Sequence, residues 1–114
     1  MPNWCLNTIK TKSEKIHNVF HRLMLKEDRK KKGVEFKYMK SDKCFFDIYI
    51  EDDYIMFSTK WSPPLIAIHN LAKRFDETIV MHYYEPGIGF YGTFTTDGNN
   101  QIDDGHDGLR PDDY

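Results

Sequence analysis

The chain is poor in most of the features that announce a function. It has 2 cysteines, 5 prolines and 7 glycines in 114 residues. Two cysteines, Cys5 and Cys44, are too few for a disulfide-built scaffold, and each is expected to be a small buried thiol. No apolar run approaches the ~20 residues that cross a bilayer. The N-terminus lacks the apolar stretch of a secretory leader. These absences predict a soluble, intracellular protein. There is no internal repeat and no Gly/Ser-rich linker, and the length suits one domain of roughly 100–200 residues. Catalytic signatures are absent too. No His-Glu-x-x-His, no cysteine cluster and no Gly-rich phosphate loop between strand and helix occurs. His17 and His21 share a helix flank and are expected to be solvated, and His106 between Asp104 and Asp107 lacks the spacing of a calcium loop. Neither catalysis, nor a metal, nor a cofactor is expected.

What is present is a core and a separation of charge. Hydrophobic residues make up 39% and aromatics 15% of the chain, enough for a packed interior. The formal net charge is −2, which argues against a uniformly basic nucleic-acid binder. The total conceals polarity along the chain. Residues 10–43 hold twelve Lys or Arg against five Asp or Glu, a net of +7. Residues 44–96 are net −4, and residues 97–114 hold six Asp against Arg110, a net of −5.

The periodicity predicts an ordered set of elements. Residues 4–12 alternate as a strand, with Cys5, Asn7, Ile9 and Thr11 on one face. Ser13 is placed to cap a helix in which Ile16, Val19, Phe20, Leu23 and Met24 recur at helical spacing, with Gly33 as its stop. Residues 34–40 look strand-like. Residues 44–51 and 54–61 alternate around Asp52-Asp53 as a hairpin, with Phe46, Ile48 and Ile50 facing one way and Phe45, Asp47 and Tyr49 the other. Ser62-Pro63-Pro64 starts a second helix carrying Leu65, Ile68, Leu71, Ala72 and Phe75, with Ser62 as cap. Residues 78–85 and 90–96 form strands joined by a type II turn at Pro86-Gly87. The order β-α-β-β-α-β plus one further strand predicts an α+β, ferredoxin-like (split β-α-β) antiparallel sheet, with two helices on one face and an extra C-terminal hairpin strand. The domain is expected to span residues 1–98, and residues 99–114 to form a loosely packed acidic tail.

Three motifs resemble a known family. They are Met1-Pro2-Asn3-Trp4-Cys5 followed by Asn7, then Thr59-Lys60-Trp61-Ser62-Pro63-Pro64, then Tyr83-Tyr84-Glu85-Pro86-Gly87 with Gly89-Phe90 and Gly92. In this order they resemble the YubB ferredoxin-like domain family of phages, plasmids and other mobile elements. The resemblance covers residues 1–12 and 54–98, and residues 13–53 carry no family motif. It implies the same fold and a bacterial host cytoplasm, and it supplies no catalytic residues. Most of the motif residues have a mechanical explanation in turns, caps and close approaches. Asn3, Asn7, Trp61 and Glu85 are the candidates for a small polar site at one end of the sheet.

With both helices on one face, the other sheet face is left open. Alternation places Phe45, Tyr49, Tyr54, Met56, His82 and Tyr84 there, near Leu6 and Thr8. Such an aromatic surface suits a protein partner. The expected function is a non-catalytic binding protein of a phage or mobile element acting on a host protein, with inhibition of a defence nuclease such as a CRISPR-Cas effector as one version. The alternative is a single-stranded nucleic-acid-binding module that stacks bases on the sheet aromatics and holds phosphates with Lys26, Arg29, Lys30, Lys31 and Lys32 at the basic end of the first helix. A homodimer is left open, and no membrane partner is expected.

Overall fold

The computed structural model describes residues 3–37 and 40–108. Met1 and Pro2 of the opening motif, two residues of the 34–40 run and the last six residues lie outside the described residues. The elements are β1 (Trp4–Lys10), α1 (Glu14–Lys30), β2 (Phe46–Ile50), β3 (Tyr54–Lys60), α2 (Leu65–Phe75), β4 (Ile79–Glu85), β5 (Phe90–Thr96) and β6 (Gln101–Asp107). The strands form one six-stranded sheet in the order β2-β3-β1-β4-β5-β6, with every neighbouring pair antiparallel. This is the expected α+β architecture, extended at the β4 edge.

Strand alternation decides which face is covered. Cys5 and Ile9 of β1, Ile55 and Phe57 of β3, Met81 of β4 and Phe94 of β5 all point to one side and are buried. Ile16, Phe20 and Leu23 of α1 and Ala67, Ile68, Leu71 and Ala72 of α2 join them in a single core. The ring cluster Phe20, Phe36, Phe45 and Phe57 fills its α1 side, with centroid separations of 4.8–6.0 Å. Burying a side chain of this size stabilises by about 1.5–3 kcal/mol relative to leaving it in water.

Long-range groups decide several details that local patterns do not. Ser13 does cap α1, its hydroxyl accepting from Ile16 N–H at 3.4 Å. The helix ends on Lys31, not Gly33: Lys31 adopts the left-handed conformation (φ 54°) and donates its N–H to the Glu27 carbonyl. Gly33 instead makes room for the Phe46 ring, which a Cβ there would overlap. The second helix takes no side-chain cap from Ser62. Its start is held by Asp42, whose carboxylate accepts from Ile66 and Ala67 N–H at 3.4 and 3.2 Å. In the 34–40 run, pairing is confined to an isolated bridge between Val34 and Phe45 among the described residues.

The hairpin of β2 and β3 departs from strict alternation. Asp47 sits at φ 52°, and the register with β3 shifts between Phe46 and Tyr49. The N–H groups of Asp47 and Ile48 turn to the Glu27 carboxylate, at 2.8 and 3.2 Å. This bulge turns Phe45 inward and Phe46 to the opposite face. Phe45 is fully buried, so its expected place on the open face is corrected.

The β4–β5 turn also differs from the type II expectation. Gly89, not Gly87, carries the positive φ, and its N–H closes on the Glu85 carbonyl at 3.1 Å. Gly87 is required by a close approach, since a Cβ there would lie 2.6 Å from Asn3 Oδ1. Beyond β5, the segment expected as an acidic tail from residue 99 instead contributes β6. Asp97 forms the turn, its carboxylate accepting from Asn99 and Asn100 N–H at 2.8 and 2.7 Å. The Tyr83 hydroxyl then passes over Gly92 and donates to Asp103 Oδ1 at 2.6 Å, tying β4 to β6.

Candidate functional site

The open sheet face is assembled by cross-strand register. Leu6 lies between Ser58 and Tyr84, and Thr8 lies between Met56 and His82. Tyr49 pairs with Met56, and Phe46 pairs with Ser58. Five of the six residues expected here are on this face: Tyr49, Tyr54, Met56, His82 and Tyr84. Trp4, Leu6, Tyr49 and Met56 are 36–51% exposed, and they lie side by side on β1, β3 and the edge strand β2. Tyr49 and Tyr54 rings stand 6.3 Å apart, and the Tyr49 hydroxyl donates to the Glu51 carboxylate. That bond, with the charge behind it, raises the Tyr49 phenol above its ordinary range. His82 Nδ1 is 3.0 Å from Thr93 Oγ1. Burial, and then the Lys10 charge, lower its pKa.

The register adds residues that sequence reasoning missed. Phe46 stands edge-on to Trp4 at 5.0 Å, with Lys60 Nζ 5.3 Å from its ring centroid. Tyr91 stacks on His106 at 5.1 Å, carrying the face across to β6. Ile102 adds a 69% exposed apolar side chain opposite Thr95. Alternation in β5 could have found Tyr91. Phe46 needed knowledge of the bulge, and the β6 residues needed knowledge of the strand.

Of the polar cluster Asn3, Asn7, Trp61 and Glu85, the three side chains Asn3, Asn7 and Glu85 lie at one end of the sheet and are engaged in holding it. Asn7 is buried on the helix side, and its amide donates to the carbonyls of Cys5 and Phe57 and to Thr59 Oγ1 at 3.1–3.3 Å. Glu85 is fully buried and spends its carboxylate on the N–H groups of Gly87 and Ile88, at 2.8 and 2.5 Å. Asn3 meets this turn, and its carbonyl accepts from Trp61 N–H at 2.8 Å. Trp61 is 47% exposed. No buried side-chain polar atom among the described residues lacks a partner, so these groups hold the sheet end together. Cys5 lies beside Asn7, and burial pushes its thiol up to about 12. Cys44 is exposed, against the expectation of a buried thiol.

The basic residues gather elsewhere. A groove of about 710 Å³ runs beside α1. Lys15, Arg22, Lys26, Arg29 and Lys30 line it from the helix, with Lys37 and Arg74 on the other side and Glu35 as its single carboxylate. Val19, Leu23, Phe36 and Phe75 form its apolar floor. Three of the expected phosphate contacts, Lys26, Arg29 and Lys30, are therefore brought together. Lys31 and Lys32 are exposed and lie outside the groove. Lys15 and Arg22 were legible from helical spacing, whereas Lys37 and Arg74 arrive only through the fold.

Among the described residues no group of three His, Cys, Asp or Glu is placed to hold a metal, and no helix is long and apolar enough to cross a membrane. No curated protein matches the chain, and no solved structure matches it. One family does: the ferredoxin-like domain in Api92-like protein matches residues 35–112, which takes in β2, β3, α2, β4, β5 and β6. That span is more than half of the chain, and the chain belongs to this family of ferredoxin-like domains.

Proposed function

We propose that the protein is a non-catalytic binding protein that docks another protein on its open sheet face. The observation that carries this reading is the apolar strip of exposed Trp4, Leu6, Met56 and Tyr49, with half-buried Phe46 beside them, running across β1, β3 and the edge strand β2. A soluble chain gains nothing by leaving such a strip in water unless it is covered on binding. Aromatic and Met side chains are the usual anchors of protein interfaces.

Charge supports one kind of occupant. Asp104 lies on the same face at the β6 edge, and Asp103 and Asp107 add exposed carboxylates on the helix side of that edge strand. A partner with a basic surface complements this edge. Together with the mobile-element resemblance of the three motifs, this supports a host protein whose own nucleic-acid groove is basic, a defence nuclease being the concrete version. The strand order supports the split β-α-β arrangement as the scaffold, with the β5 and β6 strands as the addition that widens the face.

The test is affinity capture from a nuclease-treated lysate of the source cells, with the whole chain as bait. The wild type is expected to retain a protein that the double variant Tyr49→Ala, Met56→Ala loses by at least about tenfold, ~1.4 kcal/mol. Both baits should melt at the same temperature, since neither side chain is in the core. Equal capture by the two baits, or capture of no protein, would overturn the proposal.

A further inference from the structure

We propose that the groove beside α1 is a second binding site, and that it holds a single-stranded nucleic acid. The docking face described above is on the opposite side of the sheet from the helices, so the two sites are independent.

The charge in the groove exceeds what helix stability calls for. Lys26, Arg29 and Lys30 occupy the last turns of α1, where cations suit the helix dipole. Lys15 does not: it sits in the first turn, at the end where positive charge is unfavourable. Arg22, Lys26 and Lys30 succeed one another at i, i+4 spacing, an arrangement that destabilises a helix by ~0.2–0.5 kcal/mol per like-charged pair. None of Lys15, Arg22, Lys26, Arg29, Lys30 and Arg74 has a carboxylate within 4 Å among the described residues. A line of unneutralised cations facing one concavity is the electrostatic form of a polyanion site.

The floor selects among polyanions. Phe75 and Val19 are partly exposed within the groove, above the buried Leu23 and Phe36. A duplex hides its bases and would offer this apolar floor only phosphates. A single strand offers both, phosphates for the cations and unstacked bases for the floor. A run of Asp and Glu satisfies the cations but has no planar group for the floor. From Lys15 to Lys30 the groove follows α1 for roughly 22 Å at ~1.5 Å per residue, long enough for several nucleotides.

Fluorescence anisotropy with labelled dT20 and rU20, using the whole chain, tests this. Binding of either oligonucleotide is expected at low salt, with a log–log salt slope of about −3 if four phosphates are engaged, at ~0.7 per phosphate. The variant Arg22→Glu, Arg74→Glu should weaken it at least about tenfold. Lys26→Gln, Lys30→Gln should weaken it less while keeping the fold, which covers the case in which charge reversal unfolds the groove. Lys31→Glu, Lys32→Glu, outside the groove, should retain affinity within about threefold, and so should Tyr49→Ala, Met56→Ala on the sheet face. A stronger response to dT20 or to rU20 assigns the sugar. Absence of binding at low salt would overturn the proposal, as would equal loss in the Lys31, Lys32 control. So would displacement by polyglutamate as effective as by oligonucleotide, or tighter binding of a duplex of the same length.

Discussion

Phe45 and Phe46 are adjacent, chemically identical and placed on opposite faces of the sheet, so truncating each in turn measures the bulge at Asp47. Phe45 is fully buried, with ring centroids 5.0 Å from Phe36, 4.8 Å from Phe57 and 5.9 Å from Phe20. Removing a ring at the centre of such a cluster costs the transfer free energy and leaves a cavity, about 3–5 kcal/mol for Phe→Ala. Phe46 is half-buried, and its ring meets the Trp4 edge, the Lys60 ammonium and the Gly33 backbone. Partial burial plus one aromatic pair is worth about 1–2 kcal/mol. Urea denaturation followed by circular dichroism should therefore show Phe45→Ala less stable than Phe46→Ala by about 2 kcal/mol or more. For a chain of this size the Phe45→Ala melting temperature should fall by roughly 12–20 °C. Strict alternation through residues 44–51 requires the reverse order. If Phe46→Ala proved the more damaging substitution, the bulge and the composition of the open face would both be wrong.

Three further expectations test other parts of the account. Gly98 combines φ 91° with a site where a Cβ would overlap the Lys73 backbone, so Gly98→Ala should cost about 2–5 kcal/mol from backbone strain and overpacking; a thermal melt within about 1 kcal/mol of wild type would show that the β5–β6 turn is not docked on α2. The His82 pKa is lowered in the folded state by burial and then by Lys10, so just below its ordinary 6.5 the unfolded chain binds more protons than the folded one and stability falls as pH drops through that window; His82→Gln should flatten the dependence of the melting temperature on pH there, and an unchanged slope would refute the assignment. Iodoacetamide near neutral pH should label Cys44 in the native chain and Cys5 only in denaturant, because Cys5 is buried and its thiol is held up at about 12; rapid native labelling of Cys5 would contradict its place under the sheet.

Local pattern carried as far as local chemistry reaches. The α1 stripe and its Ser13 cap, the hairpin around Asp52 and Asp53, and the β4 and β5 strands all follow from periodicity and turn residues. Tyr49, Tyr54, Met56, His82 and Tyr84 were assigned to the open face by alternation, and that holds wherever the pleat is regular. The departures come from groups distant in sequence. Glu27 reaches across 20 residues to hold the bulge that exchanges Phe45 for Phe46. Asp42 reaches across 24 to start α2 in place of Ser62. β6 could not be read from Gln101–Asp107, because its only large apolar residue is Ile102 and every position is exposed. Its strand character comes from β5, from the Asp97 turn and from the Tyr83 hydroxyl on Asp103. The basic groove was half legible: helical spacing aligns Lys15, Arg22, Lys26, Arg29 and Lys30, but only packing of α1 against the end of α2 supplies Arg74 and the Phe75 floor.

The central claim, that the open sheet face docks a protein, is tested most directly by site-specific photocrosslinking. A benzophenone side chain placed at Met56, on the open face, is compared with one at Leu25, which is 61% exposed on α1. In a nuclease-treated lysate of the source cells, irradiation should give one discrete adduct from position 56 that is absent from position 25 and is suppressed by excess unlabelled wild-type chain. No adduct at position 56, or the same adduct from both positions, would contradict it.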